Sequence, residues 1–156
     1  MTKDEFGRRV VAAQERLYRI ARSYLRNEHD CLDAVSEAIL KAWQKQNTLR
    51  DEQAFDTWLN RIVIRECVNI QRRQKRFFPV ETPPDSPANP TTLGTDLSAV
   101  IDCLPQSQRI VVVLHYMEGY GMKEMAWQLN CTPGTVASRL HYARIKLRDL
   151  LKEEIE

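Results

Sequence analysis

The stretch Gly121 to Arg148, GMKEMAWQLNCTPGTVASRLHYARIKLR, decides the fold of the C-terminal part of this chain. Met125, Ala126 and Leu129 mark one apolar stripe, and Asn130-Cys131 breaks it. Thr132 is a good helix N-cap, and Pro133 suits the first helical position, where its missing N–H is no loss. Val136, Leu140, Ala143, Leu147 and Leu150 then recur at spacings of 4, 3, 4 and 3, the inward stripe of a second helix. Off that stripe lie Thr135, Ser138, Arg139, His141, Tyr142, Arg144, Lys146 and Arg148, with Lys123 opening the first helix. Between Pro133 and Arg148 there are four basic residues and no acidic one. A helix, a tight polar turn and a basic, hydroxyl-bearing helix make a helix-turn-helix, the motif that seats a helix in the major groove of DNA. The alternative, from periodicity alone, is an amphipathic hairpin with a solvated outer face.

Working outward, the segment Phe78 to Gly94, FPVETPPDSPANPTTLG, has five prolines and no helical period. It reads as a partly extended linker. The expected organisation is two small all-α domains, residues 1–76 and 96–156, joined by a Pro-rich linker at 77–95. Charge follows that division. Residues 1–76 carry 16 Lys and Arg against 11 Asp and Glu, net +5. Residues 77–95 are net −2 and residues 96–156 net −1, so the whole chain of 156 residues is only +2. A modest, focused positive field suits a protein that binds DNA weakly alone and gains affinity from a partner.

The N-terminal block reads as three helices. Phe6 to Leu25 has Phe6, Val10, Ala13, Leu17, Ile20, Ala21 and Leu25 on one stripe. A second helix starts at Asn27 or Asp30, with Leu32, Val35, Ile39, Ala42 and Trp43 expected inward. A polar loop follows over 47–56, and a third helix from about Phe55 to Arg76 points Trp58, Leu59, Ile62, Val63, Cys67 and Ile70 inward. Beyond the linker, short helices are expected at Leu97–Leu104, ended by Pro105, and at Gln106–Met117, stopped by Gly119.

Chemistry finds little purchase. Cys31, Cys67, Cys103 and Cys131 are scattered with no CxxC spacing, and each sits on or beside an apolar stripe, so free buried or half-buried thiols are expected. His29, His115 and His141 are equally dispersed, with no nucleophile motif or phosphate loop nearby. No enzyme activity, metal or cofactor is therefore expected. The opening MTKDEFGRRV has no apolar signal core and the longest aliphatic run, Ile110 to Leu114, is too short to cross a bilayer. The expected compartment is the reducing cytoplasm.

Two surfaces stand out instead. Asp30, Asp33 and Glu37, spaced 3 and 4, line one side of the second helix. A paired-carboxylate acid–base or metal site lacks the His or Cys to complete it, which leaves a solvated face or a protein docking face that steers a basic partner. The third helix carries Arg61, Arg65, Arg72, Arg73, Lys75 and Arg76 with Asn69, Gln71 and Gln74 interleaved, opposed only by Glu66. Cations hold phosphates and amides can read bases, so this strip suits nucleic acid. The preceding loop brings Arg50, Gln53, Phe55 and Trp58 beside it, the side-chain types an unstacked base needs, although Trp58 fits a core anchor better.

Taken together, these segments resemble a bacterial RNA polymerase sigma factor of the extracytoplasmic-function group, over nearly the whole chain. DCLDAVSEAILKAW is similar to the helix of region 2.2, FDTWLNRIVIRECVNIQRRQKR to regions 2.3–2.4, and CLPQSQRIVVVLHYMEGYGMKEMAWQLNCTPGTVASRLHYARIKL to region 4. The resemblance implies docking on the β′ coiled coil of core RNA polymerase through Asp30, Asp33, Ser36, Glu37 and Leu40. It implies melting and reading of the promoter −10 element by Arg50, Gln53, Phe55, Trp58, Arg61, Arg65, Asn69, Arg72, Arg73 and Arg76. It implies −35 reading by Lys123, Thr132, Thr135, Ala137, Ser138, Arg139, His141, Tyr142 and Lys146, with region 4 also meeting the β flap. An anti-sigma partner and a monomeric free protein are also implied, and the linker would thread near the polymerase active-site channel.

The chain departs from the family pattern at several of these positions. The family often has Gln at Ser36, an acid at Leu32, Asn at Arg65 and Asp at Asn69, and usually a cation at Ala137 and often one at Tyr142. Thymine-methyl contact by Ala137 and stacking or hydroxyl contact by Tyr142 are the available substitutes. The rival reading is a stand-alone helix-turn-helix regulator, which would bind its duplex tightly without polymerase and as a dimer; no dimerisation helix is evident and the acidic strip would then have no role.

Overall fold

A computed structural model describes residues 1–77 and 97–155. It divides the chain into two compact units, Met1–Pro79 and Val80–Glu156. All regular elements among the described residues are helical: α1 (Lys3–Tyr24), α2 (Glu28–Lys45), α3 (Phe55–Phe77), α4 (Leu97–Asp102), α5 (Gln106–Val112), α6 (Met122–Leu129) and α7 (Pro133–Ile155), with short 3-10 turns at Gln46–Thr48 and Glu52–Ala54 and a π turn at Val113–Met117. No helix among them is long and apolar enough to cross a membrane. Helix α3 extends through Phe77, one residue into the segment read as linker, and the rest of that segment lies outside the described residues.

In the first unit α1, α2 and α3 pack on one another around Leu17, Ile20, Ala21, Leu59, Val63 and Cys67, all fully buried. Helix α1 starts earlier than its apolar period, because the Thr2 hydroxyl accepts the Glu5 N–H at 3.2 Å. The α2 start is set the same way, by Asn27 accepting the His29 N–H at 2.7 Å. The inward face of α2 corrects the sequence reading. Cys31, Ala34, Val35, Ala38 and Ala42 are buried, whereas Leu32 is 51% exposed and Trp43 38% exposed. Helix α2 packs against both α1 and α3, and the alanines allow that close approach, while Leu32 is turned out and Trp43 lies at the rim with its ring against Phe6. All four cysteines are free, Cys31 and Cys67 buried and the others half-buried. Burial pushes the Cys31 thiol up to about 11 and raises Cys67 further.

In the second unit α5 and the π turn form the centre. Ile110, Val111, Val112, Val113 and Leu114 are all buried, as expected of a helix that is apolar all round. The helix expected over Gln106–Met117 runs on without a break, its last turn widened to a π turn, and His115 Nδ1 lies 2.8 Å from the Tyr120 carbonyl. Gly119, at φ 79, ends the turn in the left-handed region that glycine enters without strain. The buried Arg109 guanidinium donates to the Leu104 carbonyl at 2.6 Å, so a charge fastens the turn after α4 to α5. Helices α6 and α7 bury Met125, Ala126, Val136, Leu140 and Ala143 against this centre, and Leu147 and Leu150 are half-buried.

Candidate polymerase and nucleic-acid interfaces

The turn between α6 and α7 is built as the sequence reading expects. Asn130 closes α6 in the left-handed region at φ 54, and the Cys131 N–H reaches back to the Ala126 carbonyl at 3.0 Å. Thr132 accepts the Thr135 N–H at 3.1 Å and its hydroxyl lies 2.9 Å from that of Thr135. The Thr132 hydroxyl is thereby occupied in capping α7, and that of Thr135 in bonding Thr132. At the other end of α6, the Glu124 carboxylate accepts the Gly121 N–H at 3.3 Å.

Helix α7 then presents Ala137, Ser138, His141 and Tyr142 outward, all exposed, with Tyr142 58% so. The His141 and Tyr142 rings meet edge to face at 5.3 Å. Arg139 is half-buried on one flank, while Lys146 and Lys123 are exposed. Two features escaped the sequence reading. Ile145 is 41% exposed on the outer face. Arg144 is held by Tyr116 of the π turn, donating to its hydroxyl at 2.6 Å with the guanidinium 5.8 Å from the ring centre. A tyrosine 28 residues upstream in the chain leaves no periodic signal to find.

In the first unit α2 shows three edges. Leu32 and Trp43 form an apolar edge, Ser36 and Leu40 a mixed centre, and Asp30, Asp33 and Glu37 an acidic edge. The acidic edge shares one groove with Asn69, Arg72, Arg73 and Gln74 of α3. Across it, Gln74 donates to the Asp30 carboxylate at 2.7 Å, and Lys41 pairs with the buried Glu66 carboxylate. Glu66 therefore does not oppose the arginine strip; it ties α3 to α2. His29 lies 3.5 Å from the Asp33 carboxylate, one turn away on the same exposed surface.

Along α3 the spacing of Trp58, Arg61, Arg65, Asn69, Arg72 and Arg76 keeps them on one face, with Arg73 beside it. Arg65, Asn69, Arg72, Arg73 and Arg76 are exposed and Arg61 and Trp58 half-buried. Partial burial, with the Arg65 charge beside it, lowers the Arg61 pKa from its ordinary value. Two of the interleaved amides are structural rather than readers: Gln71 donates to the Tyr24 carbonyl at 2.8 Å and Gln74 to Asp30. Asn69 stays exposed at the groove.

The loop before α3 corrects one further expectation. Phe55 is 2% exposed and packs edge-on to Phe6 at 5.9 Å, so its ring anchors the core and is closed to a base. Phe6 also meets Trp43 at 5.1 Å, and Phe55 lies 5.9 Å from Trp58. Arg50 and Gln53 are exposed on the loop. Among the described residues no three His, Cys, Asp or Glu side chains gather as a metal site.

Comparison with known proteins places both units in one family. Residues 10–77 match the Sigma-70 region 2 family and residues 95–147 the Sigma-70 region 4 family. The chain is 32% identical over 149 residues to the ECF RNA polymerase sigma factor SigE of Mycolicibacterium smegmatis, covering 88% of this chain but spanning 58% of that relative's length. It is 32% identical over 152 residues to the RNA polymerase sigma-E factor of Streptomyces coelicolor, covering 94% of this chain and 86% of the relative. The sigma factor RpoE of Bartonella quintana, solved in complex with the anti-sigma factor NepR, superposes with a TM-score of 0.79 at 26% identity, over 95% of this chain and 97% of that one. Two sigma-70 modules in the family's order, on a helical frame shared with a solved sigma factor, make this chain a member of the extracytoplasmic-function group of bacterial RNA polymerase sigma factors.

Proposed function

We propose that the chain binds core RNA polymerase and directs it to a class of promoters, with residues 1–76 acting as region 2, 77–95 as the linker and 96–156 as region 4. One observation carries the reading: the first unit holds an exposed acidic and apolar α2 face beside an arginine-lined α3 face. A duplex reader working alone has a use for the second and none for the first. Asp30, Asp33, Ser36, Glu37 and Leu40 dock on the β′ coiled coil, where carboxylates steer the approach of basic partner residues and Leu40, with Leu32 at its side, supplies desolvated contact. Arg61, Arg65, Arg72, Arg73 and Arg76 hold phosphates near the −10 element, Asn69 reads at the groove, and Arg50 and Gln53 take a base drawn out of the stack, whose unstacking costs a few kcal/mol.

Region 4 lays the outer face of α7 on the −35 duplex through Ala137, Ser138, His141 and Tyr142, with Arg139, Lys146 and Lys123 on flanking phosphates, and turns another side to the β flap. The protein performs no bond chemistry and works in the cytoplasm, where its polymerase is. Since the Bartonella relative is held by an anti-sigma factor, a regulator of that kind covering these surfaces is part of the proposal, as is a monomeric free chain.

Run-off transcription with core polymerase on genomic fragments tests the reading, paired with gel shifts with and without core. Discrete start sites that need both chain and core are expected. Tight sequence-specific duplex binding by the chain alone, with no transcript, would favour the stand-alone regulator.

A further inference from the structure

Two arginines of α1 reach away from their own helix to the loop and helix start that the sigma reading uses to capture the −10 base. Arg9 Nη1 donates to the Glu52 carbonyl at 2.9 Å, and its Nη2 lies 3.7 Å from the Glu52 carboxylate and 3.4 Å from Glu5. The same guanidinium sits over the Phe55 ring, 5.4 Å from its centre. Arg16 donates to Asn60 Oδ1 at 2.8 Å through Nε and meets the Asp56 carboxylate at 3.3 Å through Nη2. Asn60 is fully buried, so this second contact is part of the packed frame.

Gln53 lies inside this arrangement. Its N–H is taken by the Asp51 carboxylate at 3.0 Å, which fixes the preceding side of the loop. Glu52 on one side and Phe55 on the other are both gripped by Arg9. The Gln53 side chain itself stays exposed. A reader on a loop is only as accurate as its support; in catalytic sites a misplacement of about 1 Å costs on the order of 100-fold. Exposed ion pairs contribute little to stability, but a charge-assisted bond to a backbone carbonyl fixes direction.

We propose that Arg9 is a positioning residue for −10 base selection: it holds the Glu52–Phe55 turn so that Gln53 points at the captured base, while Arg16 fixes the start of α3 as the rigid side of the seat. The inference rests on the sigma reading above. Arg9 stands outside the residues assigned to polymerase or DNA, and its effect passes through Gln53.

The experiment uses holoenzyme assembled from core polymerase and the full chain, on templates pre-melted across −10 that carry each of the four bases at each non-template position. Wild type is expected to prefer one base at one position, and Gln53→Ala to flatten that preference. Arg9→Ala is expected to flatten it by about tenfold with core affinity within about twofold, and Arg9→Lys to lose most of it too, because an ammonium cannot bond the carbonyl while lying flat on the ring. In the Gln53→Ala background, Arg9→Ala should add nothing, since the two act as one unit. A merely structural role would lower complex yield on all templates and leave the base profile unchanged. Retention of the full preference by both Arg9 variants, or an Arg9→Ala effect that adds to that of Gln53→Ala, overturns the proposal. Failure of the wild-type chain to form any promoter complex overturns the sigma reading itself, a separate result.

Discussion

Along α3 the polar side chains are knitted back into the first unit: Gln71 holds the Tyr24 carbonyl, Gln74 holds Asp30, Asn60 takes Arg16, and Glu66 takes Lys41. Along the outer face of α7 the corresponding ties are few. Thr132 caps the helix and meets the Thr135 hydroxyl, Arg144 rests on Tyr116, and Ser138 and Ala137 stand exposed. On the function proposed above, the difference matches two kinds of target. A duplex would arrive as a rigid object, so a helix with adaptable side chains could lie in its groove. An unstacked base would bring no rigid frame of its own, and the protein would have to supply one.

The largest effect expected lies on α2, the proposed docking face beside α3. Reversing Asp33→Arg with Glu37→Arg should weaken core binding by at least about 100-fold, the scale of charge-pair losses at protein interfaces, with the circular dichroism spectrum and melting temperature near wild type. Normal co-purification of this double variant with core polymerase would remove the docking assignment.

Lys41→Met tests the knitting directly. It leaves Glu66 buried without its partner and should cost about 1–3 kcal/mol in the first unit. Arg144→Ala, cutting the exposed tie on α7, should stay within about 0.5 kcal/mol. Urea unfolding followed by Trp43 and Trp58 fluorescence in a Trp127→Phe background reads the first unit, and far-ultraviolet circular dichroism reads Arg144→Ala. Equal effects would dissolve the contrast between the two helices.

On the duplex side, Ser138→Ala with Tyr142→Ala should change −35 base preference by about tenfold, the value of a lost base contact, without altering binding to a pre-melted −10 strand. Selection from a randomised −35 library, compared with wild type, measures it.

A smaller effect separates the buried thiol chemistry from the interfaces. Cys31 has its pKa raised from 9.0 to about 11 by burial, so the folded state favours the protonated thiol. Its contribution is fully present below pH 9 and is lost as pH rises toward 11, amounting to about 1 kcal/mol by pH 10. Thermal melts between pH 8 and 11 should show this loss in wild type and less of it in Cys31→Ala. Arg72→Ala should be mildest: binding a few-fold weaker at every promoter and a salt slope lower by about one, read from holoenzyme titrations at several salt concentrations.

Much of the frame is legible from the chain alone because helical period and local capping are short-range physics. The α1 stripe, the Thr132 cap, the Gly119 stop and the α7 stripe through Val136, Leu140 and Ala143 all come from residues within one or two turns of each other, while the structure decides for Asn27 over Asp30 as the start of α2. The outward set on α7 follows, since the face opposite a buried stripe is exposed.

Tertiary packing decided the rest. Periodicity cannot say that α2 turns alanines inward and Leu32 and Trp43 outward, because that depends on having α1 and α3 on either side. It cannot say that Phe55 anchors the core while Gln53 stays exposed, or that Gln71, Gln74 and Glu66 bind protein while Asn69 stays exposed. Those outcomes rest on partners 25 to 49 residues away, such as Lys41 to Glu66, Gln71 to Tyr24 and Phe6 to Phe55. Composition and spacing thus set the helices and the types of side chain each surface offers. Only the packed fold chose which of them are occupied in holding it together and which are left to meet polymerase and DNA.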